Sequence, residues 1–242
     1  MDFDIEKYAH CFKTNPDEAY FWHGETKGTG GHDVSMQIAK ERSGKTLEMC
    51  MIEHRAELEK AGVKFNSDIR YGDTEQENIN FWRDCSQSFA AQARGRVHVI
   101  EGTDTRPCGT REHLYTESVW ADVEKPILMG LDNYQVYSIT AIDPATGRDK
   151  GIIYDRTEIV RQELISLKRE YMNLPKNSNR KSAIEFQYKQ LKYQAERCNY
   201  FDDIDDAIRI PNPDGVDLRP LSRMTPAERI VSLDYDFWDI DI

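Results

Sequence analysis

Apolar residues along this chain change their period several times, and the changes mark its elements. Between residues 75 and 93, Ile79, Trp82, Ser86, Phe89, Ala90 and Ala93 share one helical face. Thr74-Glu75-Gln76-Glu77 ahead of them has the reciprocal capping pattern, and Gly95 supplies the stop. The period then drops to two. Residues 96–101 predict a strand, the first clear one in the chain, in which His98 alternates with Val97 and Val99. A strand over residues 134–142, a turn at Asp143-Pro144-Ala145-Thr146-Gly147 and a returning strand over 150–154 predict a hairpin.

Upstream, Asn15-Pro16-Asp17-Glu18 marks a turn or a helix start, and residues 24–31, with four glycines, read as a flexible loop. One helix is expected over residues 33–42 with Asp33 as its cap, and another over 47–61 ahead of Gly62. Downstream, Val160, Leu164, Leu167 and Tyr171 define a helix, residues 173–180 break it, and the capping pattern Ser182-x-x-Glu185 opens a second with Ile184, Tyr188, Leu191 and Ala195. These two form an antiparallel helical hairpin. Residues 200–217 are acidic and rich in turns, Thr225-Pro226-Ala227-Glu228 caps a short helix, and the tail alternates acids with Tyr235, Phe237 and Trp238 in a pattern suited to an added strand. The fold class is therefore mixed, α/β (α+β), with a first domain over residues 1–155 and a helical C-terminal extension over 156–242.

At 242 residues the chain can bury a core without covalent staples. Its net charge of −11 argues against a nucleic-acid backbone or an anionic membrane surface as the main partner. The five cysteines, Cys11, Cys50, Cys85, Cys108 and Cys198, are odd in number and lack CxxC spacing, so mostly free thiols are expected. No metal site is expected either: His98 is a lone strand histidine, and neither the acids at 202–206 nor the tail follow a calcium-loop spacing. The acidic N-terminus lacks an apolar segment, and no apolar run reaches the length of a membrane span. The expected localisation is cytoplasmic, or a target cytosol reached by a route other than Sec.

Chemistry concentrates in residues 80–128. Indoles at Trp82 and Trp120 can stack on a flat base or pyridinium ring, and a desolvated carboxylate can stabilise a sugar oxocarbenium ion. Together they suit cleavage of an N-glycosidic bond. Among Glu117, Asp122 and Glu124, only Glu124 is bracketed by Val123 and by Pro126-Ile127-Leu128, where burial would hold it. Blander readings stand beside these: Trp22 and Trp82 as core aromatics, Glu48 as an acid favoured by a helix dipole, Glu124 as a salt-bridged acid. Ser43-Gly44-Lys45-Thr46 mimics the end of a phosphate-binding loop, but Ala39 stands where the earlier glycine is required and a helical pattern precedes it, so no such loop is expected.

The ordered set Trp22, Thr46-Leu47-Glu48, Trp82-x-x-x-Ser86-x-x-Phe89-Ala90, Val97-His98-Val99 and Ser118-x-Trp120-x-x-Val123-Glu124-x-x-x-Leu128 resembles the ADP-ribosyl cyclase/NAD glycohydrolase family over about the first 140 residues. The resemblance implies a helical N-terminal part followed by a small, mainly parallel β-sheet flanked by helices. It also implies that NAD+ is the substrate, with no cofactor and no metal. Trp22 and Trp82 would flank the nicotinamide, Glu48 would hold its carboxamide and influence hydrolysis against cyclisation, and Glu124 would be the catalytic carboxylate. Ser86, Ser118 and Trp120 would position ribose and phosphates. The family often places a small polar and sometimes a basic residue after its first tryptophan, where His23-Gly24 stand here, and Val119 replaces a hydroxyl-bearing residue.

A disulfide-poor member of this kind reads as a microbial toxin or effector that depletes NAD+ to nicotinamide and ADP-ribose, with minor cyclic ADP-ribose, held in check by an inhibitory immunity protein. Two other readings stay open. One is a non-catalytic nucleotide-binding or protein-interaction module of the same fold, and the other a signalling enzyme that forms cyclic ADP-ribose.

Overall fold

The computed structural model describes residues 3–103, 119–130, 133, 135–175, 178–198, 200–201 and 204–207. A short helix α1 (Ile5–Tyr8) and a 3-10 turn (Ala9–Phe12) precede strand β1 (Tyr20–His23), a small hairpin β2 (Glu25–Thr26) and β3 (Thr29–Gly30), and helices α2 (Gly31–Glu41), α3 (Leu47–Glu53) and α4 (Arg55–Lys60). A second small hairpin, β4 (Lys64–Phe65) and β5 (Ile69–Arg70), leads into the long α5 (Glu75–Gln92) and strand β6 (Gly95–Glu101). After a π-helical turn (Trp120–Glu124) and α6 (Lys125–Met129) come strands β7 (Val136–Ile142) and β8 (Asp149–Asp155), then α7 (Arg156–Asn173), α8 (Arg180–Arg197) and the short α9 (Ile204–Ala207).

Among the described residues the main sheet has the order β1-β6-β7-β8, with β1, β6 and β7 parallel and β8 antiparallel at the edge. The chain is thus of mixed helix and sheet, with a mostly parallel sheet. Alternation along the strands divides the core in two. Phe21, Val97, Val99 and Ile139 point to one face, where Phe81, Cys85, Phe89 and Trp120 meet them. Tyr20, Ile100 and Ile142 point to the other, against Ile38 and Ala39 of α2. Both faces being covered is the usual condition of a parallel sheet.

Strand β1 departs from expectation. The first strand of the sheet is not β6 but Tyr20-Phe21-Trp22-His23, which pairs with residues 98–101. Four residues with both faces in contact show no period-two alternation, so the pattern that betrays a half-buried strand is missing. Glycine-rich residues 24–31 are a built hairpin and the start of α2, not a flexible loop: Lys27 and Gly28 both take positive φ (54° and 76°), as a two-residue type I′ turn requires. Gly102 secures that hairpin, because its N–H donates to the His23 carbonyl (2.8 Å) and any Cβ there would lie 2.2 Å from the Glu25 nitrogen.

Helix α2 starts at Gly31, with Asp33 inside its first turn and no side-chain cap. The helix expected over 47–61 is two helices, α3 and α4, separated at His54, and Gly62 at φ +94° ends the second. Thr46 caps α3 by accepting from the Met49 N–H, so the Ser43–Thr46 segment leads from helix to helix and not from strand to helix, as expected for a segment that is no phosphate loop. The 143–147 hairpin stands as expected, with the Gly147 N–H donating to the Asp143 carbonyl at 2.8 Å. Arg42 at the end of α2 clasps this turn through Asp149 and the Gly147 carbonyl, both at 2.7 Å.

Helices α7 and α8 run antiparallel. Arg180 at the start of α8 pairs with Glu170 near the end of α7, while Tyr200 beyond the far end of α8 packs edge-on against Tyr137 of β7. Helix α8 opens at Arg180 and not at Ser182, which lies inside its first turn, and its Asn179 cap residue makes no side-chain cap bond. Residues 1–208 group as one compact unit, inside which the 155/156 boundary falls at the β8–α7 junction. Residues 202 and 203 of the acidic stretch lie outside the described residues and 204–206 belong to α9, while the helix expected after Thr225 and the aromatic tail lie wholly outside them. No helix among the described residues is long and apolar enough to cross a membrane.

Candidate active site

The capping box of α5 forms as its sequence dictates: the Glu77 N–H donates to the Thr74 hydroxyl (3.2 Å), and the Thr74 N–H donates to the Glu77 carboxylate (2.9 Å). The bonds its carboxylate accepts from the Thr74 N–H and hydroxyl and the Asp73 N–H hold the Glu77 carboxyl down at about 2. The buried face that follows is Asn78, Phe81, Cys85, Ser86, Phe89 and Ala90, so Ser86, Phe89 and Ala90 of the expected stripe are buried while Ile79 and Trp82 are only partly so. Trp82 therefore flanks the core, whereas Ser86 lies within the buried face. Trp82 is half-buried and meets Phe81 edge-on at 5.9 Å, and Ser86, one turn later, is buried.

Glu124 comes from a different element. It ends the π-helical turn Trp120–Glu124, whose closing bond runs from the Lys125 N–H to the Trp120 carbonyl. A wider turn suits this place, since Pro126 has no N–H to offer and its ring resists a preceding α-helical carbonyl. Asp122 is exposed on the same turn, and Glu124 is buried at 8% exposure. Ser86 hydrogen-bonds to Glu124.

Glu48, in the first turn of α3, completes the group. Trp22, at the C-terminal end of β1, donates its indole N–H to Glu48 Oε1 at 3.0 Å. Glu48 is itself buried, and its second oxygen, Oε2, has no hydrogen-bond partner. An unsatisfied buried carboxylate oxygen is rare in a folded chain and stands ready to accept from a ligand N–H. Burial pushes the Glu124 carboxyl up to about 8; the Ser86 bond opposes this, and the neighbouring charge of Glu48 adds to it.

The fold thus joins Trp22, Glu48, Ser86 and Glu124 in one chain of contacts where β1 ends, with Trp82 one turn from Ser86. Ligands of open parallel sheets are bound beyond the carboxyl ends of their strands, and this cluster has that position. Trp120 is placed differently from the rest: its indole is 4% exposed and packs on Phe21 at 5.7 Å, as a core side chain. Ser118 and the rival acid Glu117 lie outside the described residues. His98 stacks on Tyr20 at 4.5 Å, and burial and Arg42 lower its pKa, which keeps the ring neutral. Its Nδ1 has no partner, so it is packed but not fully satisfied.

Cys11, Cys50, Cys85 and Cys198 are free thiols, and burial raises Cys50 to about 12. One group of polar residues was not anticipated in the sequence: His10 and Cys11 of the 3-10 turn converge with His54 and Glu57 at the joint between α3 and α4, from positions widely spaced in the chain. No family model, curated protein or solved structure matches this chain.

Proposed function

We propose that this protein is an NAD+ glycohydrolase that cleaves the bond between nicotinamide and ribose, releasing nicotinamide and ADP-ribose. The observation that carries the reading is the buried Glu124, hydrogen-bonded to Ser86 and close enough to Glu48 to feel its charge, while Glu48 holds the indole of Trp22. Nicotinamide stacks against Trp22 and Trp82, and its carboxamide N–H donates to the unpartnered Oε2 of Glu48. Glu124 then lies against the ribose, where its carboxylate stabilises the ribosyl cation as the C1′–N bond breaks.

Nicotinamide departs from NAD+ as a neutral molecule, because the electron pair of the breaking bond cancels the pyridinium charge. No general acid is needed, and one carboxylate suffices where ordinary glycosidases use two. Water then adds to C1′ and gives up a proton, giving ADP-ribose; capture by adenine instead gives the cyclic product in minor amount. Trp120 acts as a positioning residue, its buried indole anchoring the turn that presents Glu124. Ser86 orients the Glu124 carboxylate, and Ser118 adds a polar contact to ribose or phosphate. Acting in a cytosol, such an activity depletes NAD+, which fits a toxin or effector restrained by an immunity protein.

Incubating the full chain with NAD+ and separating the products by chromatography tests this directly. Nicotinamide and ADP-ribose in equal amounts, with little cyclic ADP-ribose and no loss of turnover in chelator, is the expected outcome. Binding of NAD+ with its concentration unchanged over hours would favour the non-catalytic module instead.

A further inference from the structure

We propose that His10, Cys11, His54 and Glu57 bind one zinc-class divalent transition-metal ion, apart from the candidate active site, which ties the N-terminal segment to the joint between α3 and α4. Their donor atoms all lie within 4.8 Å of one another. His10 Nε2 stands 3.6 Å from Cys11 Sγ and 3.0 Å from Glu57 Oε1, and His54 Nδ1 stands 3.9 Å from Glu57 Oε2. Ligands held at about 2.0–2.3 Å from a tetrahedral ion are roughly 3.3–3.8 Å apart, so the spacings from His10 are already close and the widest separations, up to 4.8 Å, shorten by about 1 Å through side-chain rotation.

The donor set also selects the ion. One thiol, two imidazoles and one carboxylate match zinc-type chemistry, whereas magnesium and calcium require oxygen ligands throughout. An ordinary surface ion pair accounts for His10 with Glu57, but not for a fully buried thiol and a second imidazole directed at the same carboxylate. His10, His54 and Glu57 are each partly exposed, which leaves a path for the ion to enter.

Each ligand sits on a defined element. His10 and Cys11 belong to the 3-10 turn, whose neighbour Phe12 is fully buried in the core; His54 occupies the break between two helices, and Glu57 follows three residues later in α4. Spacing of i and i+3 puts His54 and Glu57 on one helical face, as paired ligands need. Binding forms four metal–ligand bonds and releases the Cys11 thiol proton to solvent. The ion then crosslinks residues more than forty positions apart in the sequence, and its effect is on stability, independent of NAD+ chemistry.

The full chain, stripped with chelator and titrated with Co2+ and then Zn2+, gives the test. One equivalent of Co2+ should produce the visible bands of a tetrahedral site with a thiolate charge-transfer band, and Zn2+ should displace it. Cys11→Ser should remove the charge-transfer band. His54→Gln, at a partly exposed position, should keep the metal-free circular dichroism spectrum while Zn2+ affinity falls by about a hundredfold or more, since even an outer-shell partner is worth about 10–100-fold. Zn2+ at about a hundred times its Kd should raise the Tm of the wild type by roughly 5–10 °C. Absence of a stoichiometric site, a charge-transfer band that survives Cys11→Ser, or an unchanged affinity in His54→Gln would each overturn the proposal.

Discussion

Glu124 is the residue whose environment says most. Its carboxyl is buried and feels the charge of a second acid, which together outweigh the bond it accepts from Ser86, so it holds its proton up to about pH 8. A cationic pyridinium and a developing ribosyl cation favour the carboxylate, so bound NAD+ should itself promote the ionisation that the reaction needs. On this account kcat/KM, which reports the free enzyme, rises with pH and levels off above about 8, whereas kcat titrates at lower pH. Initial-rate profiles between pH 5 and 9 check this, and a kcat/KM that is already flat at pH 6 would contradict it. Stability gives a second reading of the same group. The folded carboxyl keeps its proton to about 8 while the unfolded one loses it near 4.5, so the unfolded state is increasingly favoured as pH climbs through that window. Glu124→Gln removes the penalty. Its Tm should match the wild type near pH 4.5, exceed it progressively as pH rises, and hold a constant margin above about 8, as thermal melts across the range would show.

Elements carry that residue into place, and helix α6 is braced from an unexpected quarter. The guanidinium of Arg156, the first residue of α7, donates to the carbonyls of Leu128 (3.1 Å) and Gly130 (2.9 Å) at the end of α6. The C-terminal extension therefore begins by capping the helix that follows Glu124. Arg156→Met should destabilise the fold by about 1.5–3 kcal/mol, as expected for losing bonds from a charged donor, and lower kcat more than it changes KM. Denaturant melts and steady-state kinetics would measure both, and an unchanged kcat would detach this brace from the site. Which elements were legible follows the same physics. Thr74 and Glu77, the turn at 143–147 and the apolar period of α5 are local signals, and each produced its element. Strand β1, the break at His54 and the turn at Lys27-Gly28 depend on tertiary contacts: β1 on pairing with residues 98–101, and its flanking hairpin on the approach of Gly102. Trp22, Glu48, Ser86 and Glu124 could be named from a resemblance in sequence, yet the indole bond to Glu48 and the free Oε2 could not. The His10, Cys11, His54 and Glu57 cluster was invisible for a plainer reason, because its two halves lie far apart and neither carries a spacing that signals zinc by itself.

At the scale of the whole molecule, a sheet covered on both faces gathers its acids and indoles at one end of β1, while a separate polar cluster stands at the N-terminal turn. Those two places are expected to answer to different ligands, one to a dinucleotide and one to a metal ion. The proposed activity requires Glu124 to act in the transition state and not merely in binding. Measuring NAD+ affinity and turnover side by side for the wild type, Glu124→Gln and the exposed control Asp122→Asn tests that most directly. The expected result is NAD+ binding within a few-fold in all three, turnover nearly abolished in Glu124→Gln and little changed in Asp122→Asn; an active Glu124→Gln protein, or one whose only defect is loss of NAD+ binding, would contradict it.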